Sequence, residues 1–153
     1  MIRKIIRLTT KYICCNSIFP LLLYLILVEI LNYTIMNTAT WIIQGILAAA
    51  FFMAGYMKST TSIEKLNEKM SWTKDSSSGL IRFIGLSELF AALGLILPMA
   101  LNILPILTAI AAAALVIVMI LAIATHMRRK EYKEVGMNVV LGGLALFVTI
   151  VRF

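Results

Sequence analysis

The chain holds one histidine, His126, and two cysteines, Cys14 and Cys15, which are neighbours. Zinc sites usually take three or four protein ligands, so this inventory excludes an ordinary zinc centre. Haem ligation would rest on His126 alone. Adjacent cysteines lack the C-x-x-C spacing of a dithiol redox site. A strain-free disulfide between them is disfavoured too, because bridged residues usually have Cα atoms about 4.4–6.8 Å apart. They read as two reduced thiols near a membrane surface, with reversible acylation as the alternative. Charge is also scarce, at 14% of residues, against about 25% in soluble domains. No Ser-His-acid arrangement, phosphate loop or dinucleotide fingerprint is present, and Gly142-Gly143 forms no such motif. An autonomous enzyme is not expected.

Apolar sequence is what the chain has in abundance. Its 61% hydrophobic content stands well above the roughly 45–50% of ordinary domains and implies one helical membrane domain. The net charge is +7. The basic residues lie between apolar runs, where such charges set topology. No nucleic-acid reading motif accompanies them, so no nucleic-acid partner is expected.

A helix needs about 20 mostly apolar residues to cross ~30 Å of hydrocarbon. Four runs qualify: Thr40 to Met57, Leu80 to Pro98, Leu101 to Thr125, and Val135 to Val151. Backbone in lipid must satisfy its own hydrogen bonds, so the fold class is all-α, an integral membrane four-helix bundle. Residues 1–35 leave three readings open. Ile18 to Ile35, behind Arg3, Lys4, Arg7 and Lys11, reads as an extra N-terminal span weakened by Glu29 and Asn32. It also reads as a signal-like segment, although no small-residue cleavage site follows it. The third reading is a wrongly extended frame with Met36 as the start, leading through Asn37-Thr38-Ala39-Thr40 into Trp41.

Lys58, Lys65, Lys69, Lys74 and Arg82 lie between spans one and two, and Arg128, Arg129, Lys130 and Lys133 between spans three and four. The turn from Pro98 to Pro105 carries no charge. The positive-inside rule places both basic segments in the cytoplasm and Phe153 outside. In the first basic segment, Ile63, Leu66, Asn67 and Met70 share one helical face opposite Glu64, Lys65, Glu68 and Lys69. This predicts a short amphipathic helix on the inner membrane surface, with Trp72 as its headgroup anchor. Ser76-Ser77-Ser78-Gly79 predicts a flexible turn into span two. Small residues such as Gly45, Ala48, Gly85, Gly94 and Gly142 permit close helix packing.

Glu88 is an ionisable residue inside an apolar span. Such a residue costs roughly 2.5–3.5 kcal/mol on insertion scales and is a functional-site hypothesis by default. It lies roughly 9 Å deeper than Arg82 at 1.5 Å per residue. The topology places Lys58, Arg82, Glu88 and His126 in the inner half of one bundle. Together they could hold a polar or anionic head group or relay a proton, since imidazole is the side chain that changes charge near neutral pH. The competing reading makes Glu88 a hydrogen-bonding register pin and Arg82 and Lys58 snorkelling cations. Gln44 and Thr108, lone polar residues in their spans, are placed to satisfy each other.

From Trp41 to Phe153 the chain resembles the DoxX-like family of small bacterial membrane proteins. The resemblance rests on features in order: Gly55-Tyr56-Met57-Lys58, Trp72, Gly79-Leu80, and the Arg82 to Pro98 stretch with Ile84-Gly85-Leu86-Ser87-Glu88 and Gly94-Leu95-Ile96-Leu97-Pro98. Met119, His126-Met127-Arg128-Arg129-Lys130-Glu131 and Arg152-Phe153 follow. It makes residues 36–153 a DoxX-like four-helix transmembrane domain and leaves 1–35 as an N-terminal extension. Some members of the family are associated with quinone-linked sulfur oxidation, others with redox or stress-response assemblies. The resemblance therefore implies a multi-pass protein of the cytoplasmic (inner) membrane, an accessory or ligand-binding subunit with a membrane redox partner, a quinone as the cofactor class, and a homo-oligomer as a further association. A small proton-coupled transporter and a purely structural membrane protein are the alternatives.

Overall fold

The computed structural model describes the backbone of residues 2–153 and the side chains of residues 21–153. The side chains of Arg3, Lys4, Arg7, Lys11, Cys14 and Cys15 lie outside the described residues. The order is α1 (Ile2–Thr60), α2 (Ile63–Lys69), a 3-10 turn (Ser71–Asp75), α3 (Ser78–Ala100), α4 (Ile106–Arg128) and α5 (Tyr132–Arg152). Among the described residues, four helices are long and apolar enough to cross a membrane: Leu21–Thr60 of α1, then α3, α4 and α5. This is a multi-pass helical membrane protein.

The chain divides into two units, Met1–Ala39 and Thr40–Phe153. In the first, the described side chains of residues 21–35, including Glu29 and Asn32, are exposed. The Thr34 and Thr38 hydroxyls donate to the carbonyls of Ile30 and Thr34, each at 2.9 Å. Such back-bonding removes a polar group from an apolar helix surface.

In the second unit the four long segments form a helical bundle. Its core draws Leu47 and Phe51 from α1, Ala92 and Leu95 from α3, Ala112, Leu115 and Met119 from α4, and Ala145 and Val148 from α5. The outward faces are apolar as well: Phe83, Phe90, Ile117 and Ile150 are 60–72% exposed. In water such a surface would mark an interface; on membrane-spanning helices it faces lipid.

Two glycines bring α1 and α3 together. A Cβ on Gly55 would lie 2.6 Å from the Gly85 carbonyl oxygen, and one on Gly85 would lie 2.8 Å from Lys58 Cβ. Only the missing side chains permit this backbone approach, the usual way helices associate in lipid.

Helix α4 begins at Ile106, five residues later than the hydropathy boundary at Leu101, and α3 runs two residues past Pro98. The chain between them closes α3 in a Schellman turn. Ile103 N–H donates to the Pro98 carbonyl at 3.0 Å and Asn102, at φ 54°, takes the left-handed position. Hydropathy alone does not register this, because Leu101, Ile103 and Leu104 are as apolar as the spans.

Candidate functional site

The end of the bundle that carries the basic segments is assembled from four elements. Helix α1 brings Lys58 in its last turn. One and a half turns into α3 comes Arg82's neighbour Phe83, and deeper on the buried face comes Glu88, 3% exposed. The Gly55–Gly85 crossing holds the two helices close enough for Lys58 Nζ to reach Glu88 Oε1 at 2.5 Å. An ionisable residue within a span is expected to face the bundle interior and pair there. The ammonium also sits 5.8 Å from the centre of the Trp72 ring, within cation–π range.

Arg82 does something else. Its guanidinium donates to the Lys58 carbonyl at 2.7 Å. That carbonyl is in the last turn of α1, where helix carbonyls lack intrahelical partners and a cation complements the helix dipole. Arg82 therefore caps α1 and steadies the backbone that carries Lys58.

His126 lies in the last turn of α4. Its Nδ1 is 2.6 Å from Glu131 Oε2. A second Schellman turn makes this possible: Glu131 N–H donates to the His126 carbonyl at 3.0 Å, with Lys130 left-handed at φ 61°. Glu131 also accepts from the Ser71 hydroxyl and from Arg129 Nε at 3.0 Å. Arg129 in turn pairs with Asp75 and donates to the Ser71 carbonyl at 2.8 Å. The 3-10 turn is thus tied to the α4–α5 connection. The Ser71 hydroxyl, then His126 and Arg129, hold the Glu131 carboxyl down from its ordinary 4.5 to about 2. The Asp75 and Glu131 carboxylates raise Arg129 further. Glu131 is therefore ionised and accepts only, so the proton between it and His126 belongs to Nδ1.

A cavity of about 330 Å³ lies among these groups, walled by Leu80, Phe83, Ile84, Val118 and Ala122 and bordered by Lys58, Glu88, Trp72, His126 and Asn138. Its volume is at the lower end of the ~300–1,000 Å³ of small-molecule sites. A second cavity of about 300 Å³ shares Lys58, Trp72, His126 and Asn138 with it and adds Ser71, Glu131 and Glu134. The pair forms an apolar chamber behind a polar vestibule. Glu88 Oε2 is buried with no hydrogen-bond partner among the described residues.

Of the four residues singled out from sequence, Lys58, Glu88 and His126 border one cavity, and Arg82 acts through the Lys58 backbone. Trp72, expected as a headgroup anchor, is half-buried and walls both cavities. The amphipathic helix forms as α2, and Leu66 on its apolar face is 0% exposed, so that face packs on protein. Sequence reasoning missed Glu131, Ser71, Arg129 and Asn138 as neighbours of the site. The signal that could have found Glu131 is its place just beyond the C-terminus of a helix ending in His126. The expected Gln44–Thr108 contact is replaced. Gln44 Nε2 donates to the Leu95 carbonyl at 2.5 Å and its oxygen accepts from Arg152 Nε at 2.8 Å. Thr108 Oγ1 has no partner among the described residues. Both ends of the Gln44 amide are thus engaged, its donor by a backbone carbonyl of α3 and its acceptor by a charged guanidinium, which makes a stronger hydrogen bond than a hydroxyl would.

Fold and site together define a small multi-pass helical membrane protein with a chamber at one end of its bundle. Residues 42–148 match the DoxX-like family, and the chain belongs to it. No curated protein and no solved structure matches the chain.

Proposed function

We propose that this protein is an accessory subunit of the cytoplasmic (inner) membrane that holds a small apolar ligand in the chamber beside Glu88 and serves a membrane redox partner. Residues 36–153 are the working domain in this reading, with 1–35 as an extension. The observation that carries it is the Lys58–Glu88 pair at a chamber whose remaining wall is largely apolar, with one Glu88 oxygen unpartnered. A buried polar atom normally has a partner, and a ligand would provide one. The tie to redox chemistry, and a quinone-like molecule as occupant, rest on family analogy. Binding is favoured over passage by what lies beyond Glu88. Leu47, Phe51, Leu95, Leu115 and Met119 fill the core between this site and the Gln44–Arg152 contact, so an ion crossing it would meet apolar side chains.

The test is co-purification. Wild type and Glu88→Gln are extracted in mild detergent and the organic extract is analysed by absorbance and mass spectrometry. A stoichiometric quinone-like molecule or lipid that the variant loses supports the reading. Two empty proteins of equal stability would overturn it and leave a carrier or a structural role.

A further inference from the structure

Most of the polar atoms around the chamber are acceptors. The Ser87 hydroxyl donates to the Ile84 carbonyl at 2.8 Å and the Thr125 hydroxyl to the Leu121 carbonyl at 2.9 Å. Their protons are taken by their own helices, and their lone pairs remain. Asn138 Nδ2 donates one proton to the Glu134 carbonyl at 2.9 Å, which leaves its oxygen as an acceptor and one N–H as a donor. The His126 proton sits on Nδ1 against Glu131, so in the neutral ring Nε2 is an acceptor. Glu88 Oε2 is an acceptor, buried and unpartnered. The donors bordering the chamber are the Lys58 ammonium, the Trp72 indole N–H and the second Asn138 N–H. Lys58 is already committed to Glu88 Oε1, with its remaining protons beside the chamber.

A ligand group meeting Glu88 Oε2 must therefore bring a proton of its own. An ether or a ketone accepts only, and would place its lone pairs against a carboxylate, so of a quinone-like couple the site favours the reduced, phenolic form. A carboxylate or phosphate ligand would place a negative charge beside Glu88. A hydroxyl both donates and accepts, which matches an ion pair presenting one oxygen and one ammonium. We propose, resting on the reading of this chamber as a ligand site, that it takes a neutral hydroxyl carried on an apolar body, the hydroxyl donating to Glu88 Oε2 and accepting from Lys58 Nζ. The body lies along Phe83, Ile84, Val118 and Ala122.

The hydroxyl can come from a ring, as in a phenol, or from a chain, as in a lipid alcohol. Two matched pairs of probes separate these sources: para-butylphenol with para-butylanisole, and octanol with its methyl ether. Each is equilibrated with the full chain in nanodiscs, and retention is counted against protein-free discs. The share that belongs to the chamber is the share lost in Ala122→Phe, a variant whose fold is checked by its melting point. A hydrogen bond to a charged acceptor is worth about 10- to 100-fold in affinity, so at least one alcohol should bind about tenfold or more tightly than its ether. The preferred pair identifies the source, and Glu88→Gln should shrink the preference. Ethers binding as tightly as the alcohols would overturn the hydroxyl assignment while leaving the chamber a ligand site. No probe retained above protein-free discs would overturn both.

Discussion

Lys58 and Glu88 are individually unfavourable inside a bilayer and tolerable as a pair. Their side chains are 12% and 3% exposed, and Nζ and Oε1 are 2.5 Å apart. Deleting one partner of a buried pair leaves an uncompensated charge and typically costs about 3–5 kcal/mol, whereas replacing both with apolar groups is often neutral. Lys58→Met should therefore lower the thermal midpoint in detergent sharply, and adding Glu88→Leu to it should recover most of the loss. A double variant no more stable than Lys58→Met would show that the pair does not behave as one unit. Much of this site was legible from composition: a lone carboxylate in an apolar span and a lysine at a span's end are conspicuous. The partner of each was not. Arg82 lies six residues from Glu88, about 240° around the same helix, so the neutralising cation had to come from another helix, and hydropathy does not say which.

At the scale of elements, the site depends on one helix crossing. Gly55 and Gly85 allow α1 and α3 to touch, and Lys58 projects toward Glu88 from the turn beside that contact. A methyl group on Gly85 would meet Ser59 Oγ at 2.7 Å, Lys58 Cβ at 2.8 Å and the Gly55 carbonyl oxygen at 3.0 Å. Two of those atoms are backbone or nearly so and cannot swing away. Gly85→Ala should destabilise the bundle by about 1–3 kcal/mol, the usual cost of overpacking, and should weaken the coupling measured between Lys58 and Glu88. Gly79→Ala is the control, since nothing lies within 4 Å of a Cβ there. An equal loss in both variants would assign the effect to glycine removal rather than to the crossing. Helix ends were less legible than helix centres. The turn after α4 uses a left-handed lysine, Lys130, where glycine or asparagine is the usual stop, so the stop signal is missing from the sequence there.

At the scale of the whole molecule, the bundle is closed at the end that carries the basic segments by a polar clasp. Ser71, Asp75, His126, Arg129 and Glu131 join the segment after α1 to the connection between α4 and α5. Glu131 titrates lower in the folded protein than its ordinary 4.5, at about 2. A depressed carboxylate adds stability that is present above its unfolded value and is lost as pH falls through the folded one. The clasp should hold at pH 5 and above, loosen between about 4.5 and 2, and expose Trp72, which walls both cavities. Emission of Trp72 in a Trp41→Phe background reads this directly. Glu131→Gln should abolish the acid-side change; an unaltered change in that variant would place the titrating group elsewhere.

Hydrophobicity, length and the placement of lysine and arginine determined by themselves that the chain is helical, crosses a membrane several times, and carries an ionisable residue in a span. Those properties follow from the bilayer acting as solvent, and each is local to about 20 residues. The ordered features from Gly55 to Arg152 also sufficed for the family. Only the tertiary structure decided that Lys58 pairs with Glu88 while Arg82 caps α1, and that Trp72 walls both cavities. It also decided that Glu131 folds back on His126 and that Gln44 reaches Leu95 and Arg152 rather than Thr108. These outcomes depend on helix rotation and close approach. A shift of one residue turns a side chain about 100° around a helix of 3.6 residues per turn, and hydropathy over a span is almost blind to that rotation.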